Sequence, residues 1–452
     1  MFYQKEIETL PLSKLRKLQS QQLENLVDYV YQRVPFYKTK FDQMGIKPSE
    51  IRNIEDISKL PFTFKTDLRD NYPFDLFAVA PQEIKRIHCS SGTTGKPTVV
   101  GYTKNDLSIF AQVTARSLAA AGAQPGMKLH NAYGYGLFTG GLGLHYGGEL
   151  LGLTVVPVSG GMTDRQLILL QDFKPEVICC TPSYAQTLAQ EVQKRGIPKN
   201  SLHLKYAVLG AEPWTETIRQ EVQEGLGVIA TNIYGLSEII GPGVSQEDFE
   251  EQGGGSHVWE DHFFPEIIDP ETRQPLPEGK DGVLVFTTLT KEGMPLLRYW
   301  TNDITHLYYD TDSKRTHIKM GPIKGRSDDM LVIRGVNLFP SQVEEVLNEM
   351  PHLSANYQLW VTKKDKMDAL ELRVELDHRV YQELNFNQVK IGVQLHQEFL
   401  DELSKGLTEK IKNNIGLSMK VTLQDFEQVP RSTGGKLSRV VDKRRSESKT
   451  KK

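Results

Sequence analysis

Ser90-Ser91-Gly92-Thr93-Thr94-Gly95-Lys96-Pro97-Thr98 concentrates hydroxyls, glycines and one lysine in a single run. Glycines permit a tight backbone, and successive N–H groups with hydroxyls and a lysine can wrap an anionic phosphate. The run is not a Walker A loop. Only two residues separate Gly92 from Gly95, and Pro97 stands where Ser or Thr would hold Mg²⁺. A flexible Gly/Ser/Thr linker is the plainer alternative, though linkers rarely gather hydroxyls around one lysine.

Two further stretches could do chemistry. In Pro430-Arg431-Ser432-Thr433-Gly434-Gly435-Lys436, two glycines let an exposed loop present a lysine. Taken alone, Lys436 reads more simply as surface charge. In GYGLFTGGLG (134–143), preceded by Tyr133, glycines would let the rings of Tyr133, Tyr135 and Phe138 lie close to backbone. The same rings could be ordinary core. The GxGxxxG spacing invites a dinucleotide-binding reading, but no strand is predicted before it and no acid follows at the required distance.

The elements that must position these residues are legible in pattern. Residues 12–48 recur at helical spacing through Leu15, Leu18, Leu23, Leu26, Val27, Val30 and Val34, and Pro35 is expected to end the run. The first 80 residues thus form a helical N-terminal part. From about residue 84, β-branched runs (153–159, 176–181, 204–210) alternate with amphipathic stretches (166–173, 183–196), which predicts βαβ units and a largely parallel sheet. Residues 282–309 read as antiparallel strands. Beyond GPIKGRSDD (321–329), a strand, a turn and a helix precede two alternating strands, a long helix near 395–415 and a further strand. The expected fold is α/β: a large multi-sheet body over residues 1–325 and a small mobile α+β domain over 329–440. A basic disordered tail, residues 441–452, follows.

At 452 residues the chain has room for roughly three units of about 150 residues, two of them merged in the body. A formal net charge of −3 argues against a nucleic-acid partner held by bulk charge. No run of about 18 apolar residues predicts a membrane span. Cys89, Cys179 and Cys180 cannot all pair within one chain and show no CxxC spacing. With no signal-like apolar leader, the expected compartment is a reducing cytoplasm.

Taken in order, several segments make the sequence resemble the adenylate-forming superfamily and, more narrowly, the phenylacetate–CoA ligase family. They are SSGTTGKPTVVGYT (90–103), GYGLFTGGLGLHYG (134–147), GAEPWTE (210–216), NIYGLSEIIGPGV (232–244), VWEDHFFPEIIDP (258–270), TKEGMPLLRY (290–299) and GRSDDMLVIRGVNLFPSQVEE (325–345). The resemblance implies an adenylation fold and an acid–CoA ligase using ATP, Mg²⁺ and coenzyme A on a small aromatic acid. It places Ser90 through Lys96 over the β- and γ-phosphates. Glu212, Pro213, Asn232, Ile233, Tyr234 and Gly235 would line the adenine slot, and Ser237 would meet the α-phosphate. Glu238 would hold Mg²⁺, as a hard carboxylate should. Asp303, joined by Arg326, would take the ribose hydroxyls. Lys436 would serve adenylation, and Asp328 would be the hinge of a domain rotation. Tyr133, Phe138, Gly210 and Ala211 are the candidate acid pocket.

Departures accompany the resemblance. Trp300 and Asn302 replace an arginine and another polar residue in the family's Y-R-T-x-D run. Some relatives carry a Cys/His zinc cluster after the Tyr234 segment, whereas residues 245–262 hold only His257 and His262, read here as structural. Two other functions stay open: adenylation without CoA transfer, and a silent nucleotide-binding scaffold. The intact set of Lys96, Glu238, Asp303 and Lys436 opposes the second. A homodimer built on the N-terminal helices is a further expectation.

Overall fold

In the computed structural model, residues 1–90, 97–327, 331–333, 336–364, 367–377, 379–380, 397–425, 428–431 and 439–444 are described. Ser91 through Lys96, Asp328 and Lys436 lie outside them.

The N-terminal periodicity folds as two helices rather than one. Leu12–Arg33 buries Leu15, Leu23, Leu26, Val27 and Val30 on one face. Pro35 does end that helix, but it also opens the next, Pro35–Met44, which closes at Gly45 with φ 68°. A proline lacks the N–H that a helix interior needs, yet its fixed φ suits the first helical position. Tyr37 and Phe41 reach into the same core as Val100, Tyr102, Trp259, Phe286 and Leu296. The N-terminal part is therefore built into the body.

Strands β1 (Arg86–Ser90) and β2 (Thr98–Tyr102) pair antiparallel, with Ser90 opposite Thr98, so they flank the 91–96 segment on both sides. Next come β3 (Lys128–Asn131), β4 (Thr154–Val156), β5 (Val177–Cys180), β6 (Tyr206–Gly210) and β7 (Ile229–Leu236). They lie in the spatial order β4-β3-β5-β6-β7, all parallel. Helices Thr139–Leu151, Thr163–Phe173, Pro182–Lys194 and Glu216–Leu226 fill the four crossovers, as parallel strands require. All of β5 is buried, as a strand covered on both faces should be.

One expectation needs correction here. β3 directly precedes the 134–143 glycine run, and a helix follows it. Its sequence, Lys-Leu-His-Asn, hides the strand because His130 and Asn131 are buried polar residues and break the apolar signature. The downstream acid of a dinucleotide site is still missing.

β8 (Gly241–Glu247) and β9 (Ser256–Val258) extend the sheet antiparallel beyond β7. A second sheet pairs β10 (Phe263–Ile268), β11 (Gly282–Thr288) and β12 (Tyr299–Thr305) antiparallel in chain order, as the 282–309 pattern predicts. Two short strands, β13 (Leu307–Tyr308) and β14 (Lys319–Met320), return to the first sheet beside β9.

The chain divides into two compact units. One comprises Met1–Glu212 and Val222–Ile323; the other takes residues 213–221 and the described residues from 324 onward. In the second, β15 (Gly325–Arg326) precedes a hairpin of β16 (Leu331–Ile333) and β17 (Val336–Leu338) and the helix Pro340–Asn348. Strands β18 (Leu353–Lys364) and β19 (Met367–Leu376) pair antiparallel. β20 (Lys420–Gln424) and β21 (Val440–Asp442) add to them in parallel, giving the order β20-β19-β18-β21. Helix Gln397–Ile415 buries Leu400, Leu403, Leu407 and Ile411 at helical spacing. Sheet pairing runs to Asp442, inside the stretch expected to be tail. Among the described residues, no helix is long and apolar enough to cross a membrane.

Candidate active site

The residues that follow the parallel strands gather along the carboxyl edge of the sheet. The chain steps from β3 out to β4 and back past β3 to β5. Such a reversal opens a crevice where open α/β sheets bind ligands. Tyr133 follows β3, Thr181 follows β5, Ala211 and Glu212 follow β6, and Asn232 through Glu238 span the end of β7 and the turn after it.

Gly210 closes β6 against β7 so tightly that an added Cβ would meet the Ile233 carbonyl oxygen at 2.0 Å. Ala211 then takes φ 74°, a left-handed value rare for a residue with a side chain. Glu212 accepts the Ser183 N–H at 2.7 Å, at the start of the helix after β5. The Tyr133 side chain is buried, and among the described residues its hydroxyl meets no hydrogen-bond partner. Burial first, and then Cys180 and Cys179, push its ionisation well up; the Gly210 backbone is near enough to oppose this but not in hydrogen-bond geometry. Tyr135 turns inward, accepting from Asn131 Nδ2 at 2.8 Å and lying 3.1 Å from His145 Nδ1. Phe138 is 52% exposed at the start of the helix Thr139–Leu151. Tyr133, Gly210 and Ala211 are thus neighbours, whereas Phe138 lies on the surface.

On β7, Ile233 is buried and the Asn232 N–H donates to Glu247 Oε2 at 2.8 Å. The Tyr234 hydroxyl donates to Asp303 Oδ2 at 2.5 Å, joining the two sheets. Gly235 admits no side chain, since its Cβ would meet the Gly241 carbonyl oxygen at 1.9 Å. In the turn that follows, Ser237 Oγ lies 3.2 Å from Thr139 Oγ1. The Glu238 carboxylate is 5% exposed, accepts from the Tyr299 hydroxyl at 3.3 Å and stands 3.9 Å from Lys65 Nζ. It is the carboxylate of this turn, its contacts to Tyr299 and Lys65 are long, and its hard oxygens suit a divalent cation. Among the described residues no group of three or more His, Cys, Asp or Glu side chains is gathered for a metal.

Sequence comparison matches residues 9–289 to the AMP-binding enzyme family and residues 335–444 to the AMP-binding enzyme C-terminal domain. A phenylacetate-coenzyme A ligase of Thermus thermophilus is 62% identical over 98% of this chain and 100% of its own length. The chain belongs to the phenylacetate–CoA ligase family. The Escherichia coli phenylacetate-coenzyme A ligase is 48% identical, covering 97% of each chain. Among solved structures, a 2-hydroxyisobutyryl-CoA ligase in the postadenylation state with R3-HIB-AMP is similar at TM-score 0.88 and 26% identity, covering 99% of this chain and 94% of that one.

In this AMP-forming acid–CoA ligase, the remaining residues singled out in sequence fall as follows. Ser90 ends β1 with its Oγ buried. Pro213 and Arg326 belong to the second compact unit. His257 is buried 3.0 Å from both the His317 carbonyl and Ser313 Oγ. His262 meets Thr290 Oγ1 at 2.8 Å and Asp261 Oδ2 at 3.2 Å. Burial lowers the basicity of both rings. Sequence reasoning assigned no role to Tyr102, Thr139, Lys65 or Lys291, all of which contact the Ser237–Glu238 segment. The only signal for Lys291 was its place in TKEGMPLLRY, because a lysine destined for burial looks like any other in sequence.

Proposed function

We propose that this ligase converts a flat arylacetate, with phenylacetate the preferred acid, to its CoA thioester through an enzyme-bound acyl-adenylate in the cytoplasm. One observation carries the assignment: Tyr133 with Gly210, Tyr234 with Asp303, and Ser237 with Glu238 meet along one edge of the parallel sheet. The Tyr234 ring offers a face for adenine. Asp303 accepts the ribose hydroxyls, and Ser237 donates to an α-phosphate oxygen. To the buried Tyr133 and the closely packed Gly210 we assign the walls that meet the acid, which favours a flat ring over a long chain.

The acid's carboxylate oxygen attacks the α-phosphorus. The bond from that phosphorus to the bridging oxygen breaks, and pyrophosphate leaves. The CoA thiolate then attacks the acyl carbon, the bond to the AMP oxygen breaks, and AMP leaves. Lys436 has the task of offsetting negative charge in the first step and no task in the second. Ser91 to Lys96 take the outer phosphates, and Asp328 serves as the hinge residue. A magnesium ion held by Glu238 would supply charge neutralisation at the phosphate oxygens.

Pyrophosphate release measured across arylacetates, benzoates and fatty acids tests the assignment. Phenylacetate should give the highest kcat/KM, and thioester should appear only with CoA. A clear preference for long-chain fatty acids would overturn the assigned substrate.

A further inference from the structure

Lys291 is 3% exposed, and a buried ammonium persists only where partners offset its lost hydration. Its Nζ donates to the Glu238 main-chain carbonyl at 2.9 Å. It also lies 5.2 Å from the centre of the Tyr102 ring, within cation–π range. Tyr102, itself buried, donates its hydroxyl to the carbonyls of Ile240 at 2.9 Å and Ser237 at 3.3 Å. Two side chains from behind thus hold successive carbonyls of the turn that carries Ser237 and Glu238.

The lysine's own loop is fixed in turn. Asp106 accepts the N–H groups of Glu292 and Gly293 at 2.8 Å each, and that of Thr103 at 2.9 Å. Gly293 sits so close to β2 that a Cβ would meet the Gly101 carbonyl oxygen at 2.7 Å. The Glu292 carboxylate accepts from Thr103 Oγ1 and Asn105 Nδ2 at 2.9 Å each. None of these hydrogen bonds uses the lysine head group, although its charge is also favoured by the nearby Asp106 and Glu238 carboxylates.

We propose that Lys291, backed by Tyr102, is a positioning clamp for adenylation. It holds the 237–240 turn so that the Ser237 hydroxyl and the Glu238 carboxylate stay aimed at the triphosphate. The clamp rests on the roles given to Ser237 and Glu238 under the proposed function.

The test is Lys291→Met, read by phenylacetate-dependent ATP–pyrophosphate exchange, by direct titration of ATP binding and by thermal unfolding. The adenine and ribose contacts are untouched, so ATP affinity should stay within roughly threefold while kcat falls more than about tenfold, as misaimed reacting groups demand. Thermal stability should fall somewhat, because the Asp106 and Glu238 carboxylates lose a nearby buried cation, so exchange and binding are compared on the folded variant. A smaller fall in kcat, or one matched by an equal loss of ATP affinity, overturns the clamp. If the variant does not fold, Tyr102→Phe decides. It keeps the ring and the lysine but releases two carbonyls, so its kcat should fall by about fivefold at unchanged ATP affinity; an unchanged kcat overturns the clamp. Absence of acid-dependent exchange in the wild type would instead defeat the proposed function itself.

Discussion

Replacing Asp303 by alanine should weaken ATP binding without disturbing the acid pocket. Asp303 is 8% exposed on β12, its N–H donates to Thr301 Oγ1 at 3.0 Å, and Tyr234 donates to its Oδ2 at 2.5 Å. The carboxylate is therefore held in place by the protein alone, so the ribose bonds proposed for it would cost little ordering entropy. A hydrogen bond to a charged group contributes about 1.5–3 kcal/mol net, roughly ten- to a hundredfold in affinity. Asp303→Asn keeps the shape but loses the charge assistance, so it should fall at the weaker end of that range. Calorimetric titration of the folded variants with ATP and with 2′,3′-dideoxy-ATP gives the decisive comparison. The wild type should prefer ATP, and Asp303→Ala should bind the two alike. If the alanine variant still discriminates between them, or binds ATP as tightly as the wild type, Asp303 is not the ribose partner.

Gly210→Ala should destabilise the body by about 1–3 kcal/mol, because the methyl would collide with the Ile233 carbonyl oxygen at 2.0 Å; an unfolding free energy within about 0.5 kcal/mol of wild type would show that β6 and β7 can separate there. His130 is pushed down to about 4 by burial, opposed by its hydrogen bond to Gln166. Its folded-state value lies below the unfolded one, so its contribution is complete above pH 6.5 and lost as pH falls toward 4, by roughly 3 kcal/mol in all. Urea unfolding at pH 7 and pH 4.5 should show a smaller acid loss for His130→Gln than for wild type. Equal losses would mean that the ring is not held neutral.

How much of this was legible in sequence depended on whether the signal was local. The helix Gln397–Ile415 places Leu400, Leu403, Leu407 and Ile411 on one face, and its apolar period announces it. The alternation of β-branched runs with amphipathic stretches likewise pointed to β5, β6 and the helix between them. β3 and β21 were not legible. The first carries buried polar residues, and the second is three residues long and finds its partner in β18, about eighty positions earlier. Such pairings are decided by tertiary contact, which leaves no period to read. The same division runs through the candidate site. Glu212 and the run from Asn232 to Glu238 stand in recognisable motifs, whose roles came from the family resemblance rather than from spacing. The meeting of Tyr234 with Asp303, sixty-nine residues away, and of Lys291 with Glu238 exists only in the folded chain.

The departures at positions 300 and 302 can be judged by which face of β12 they occupy. Tyr299 and Asp303 point toward the site, one to Glu238 and the other to Tyr234. Trp300 points away, into a cluster with Ile268, Val283, Val285, Phe62 and Phe64. Its ring meets Phe62 edge-on at 5.3 Å, and the Arg273 guanidinium lies 4.0 Å from the ring centre. The arginine expected at position 300 is thus replaced by an indole that receives a cation from elsewhere in the chain, an interaction contributing about 0.5–2 kcal/mol. Asn302 takes φ 69°, a left-handed conformation in which asparagine is among the least strained residues with a side chain. That local turn of the backbone lies one residue before Asp303 and helps set the direction of its carboxylate. A larger or β-branched residue at 302 would resist the same φ. The departure at 300 therefore changes the packing behind the sheet, while the one at 302 suits the left-handed backbone that leads into Asp303.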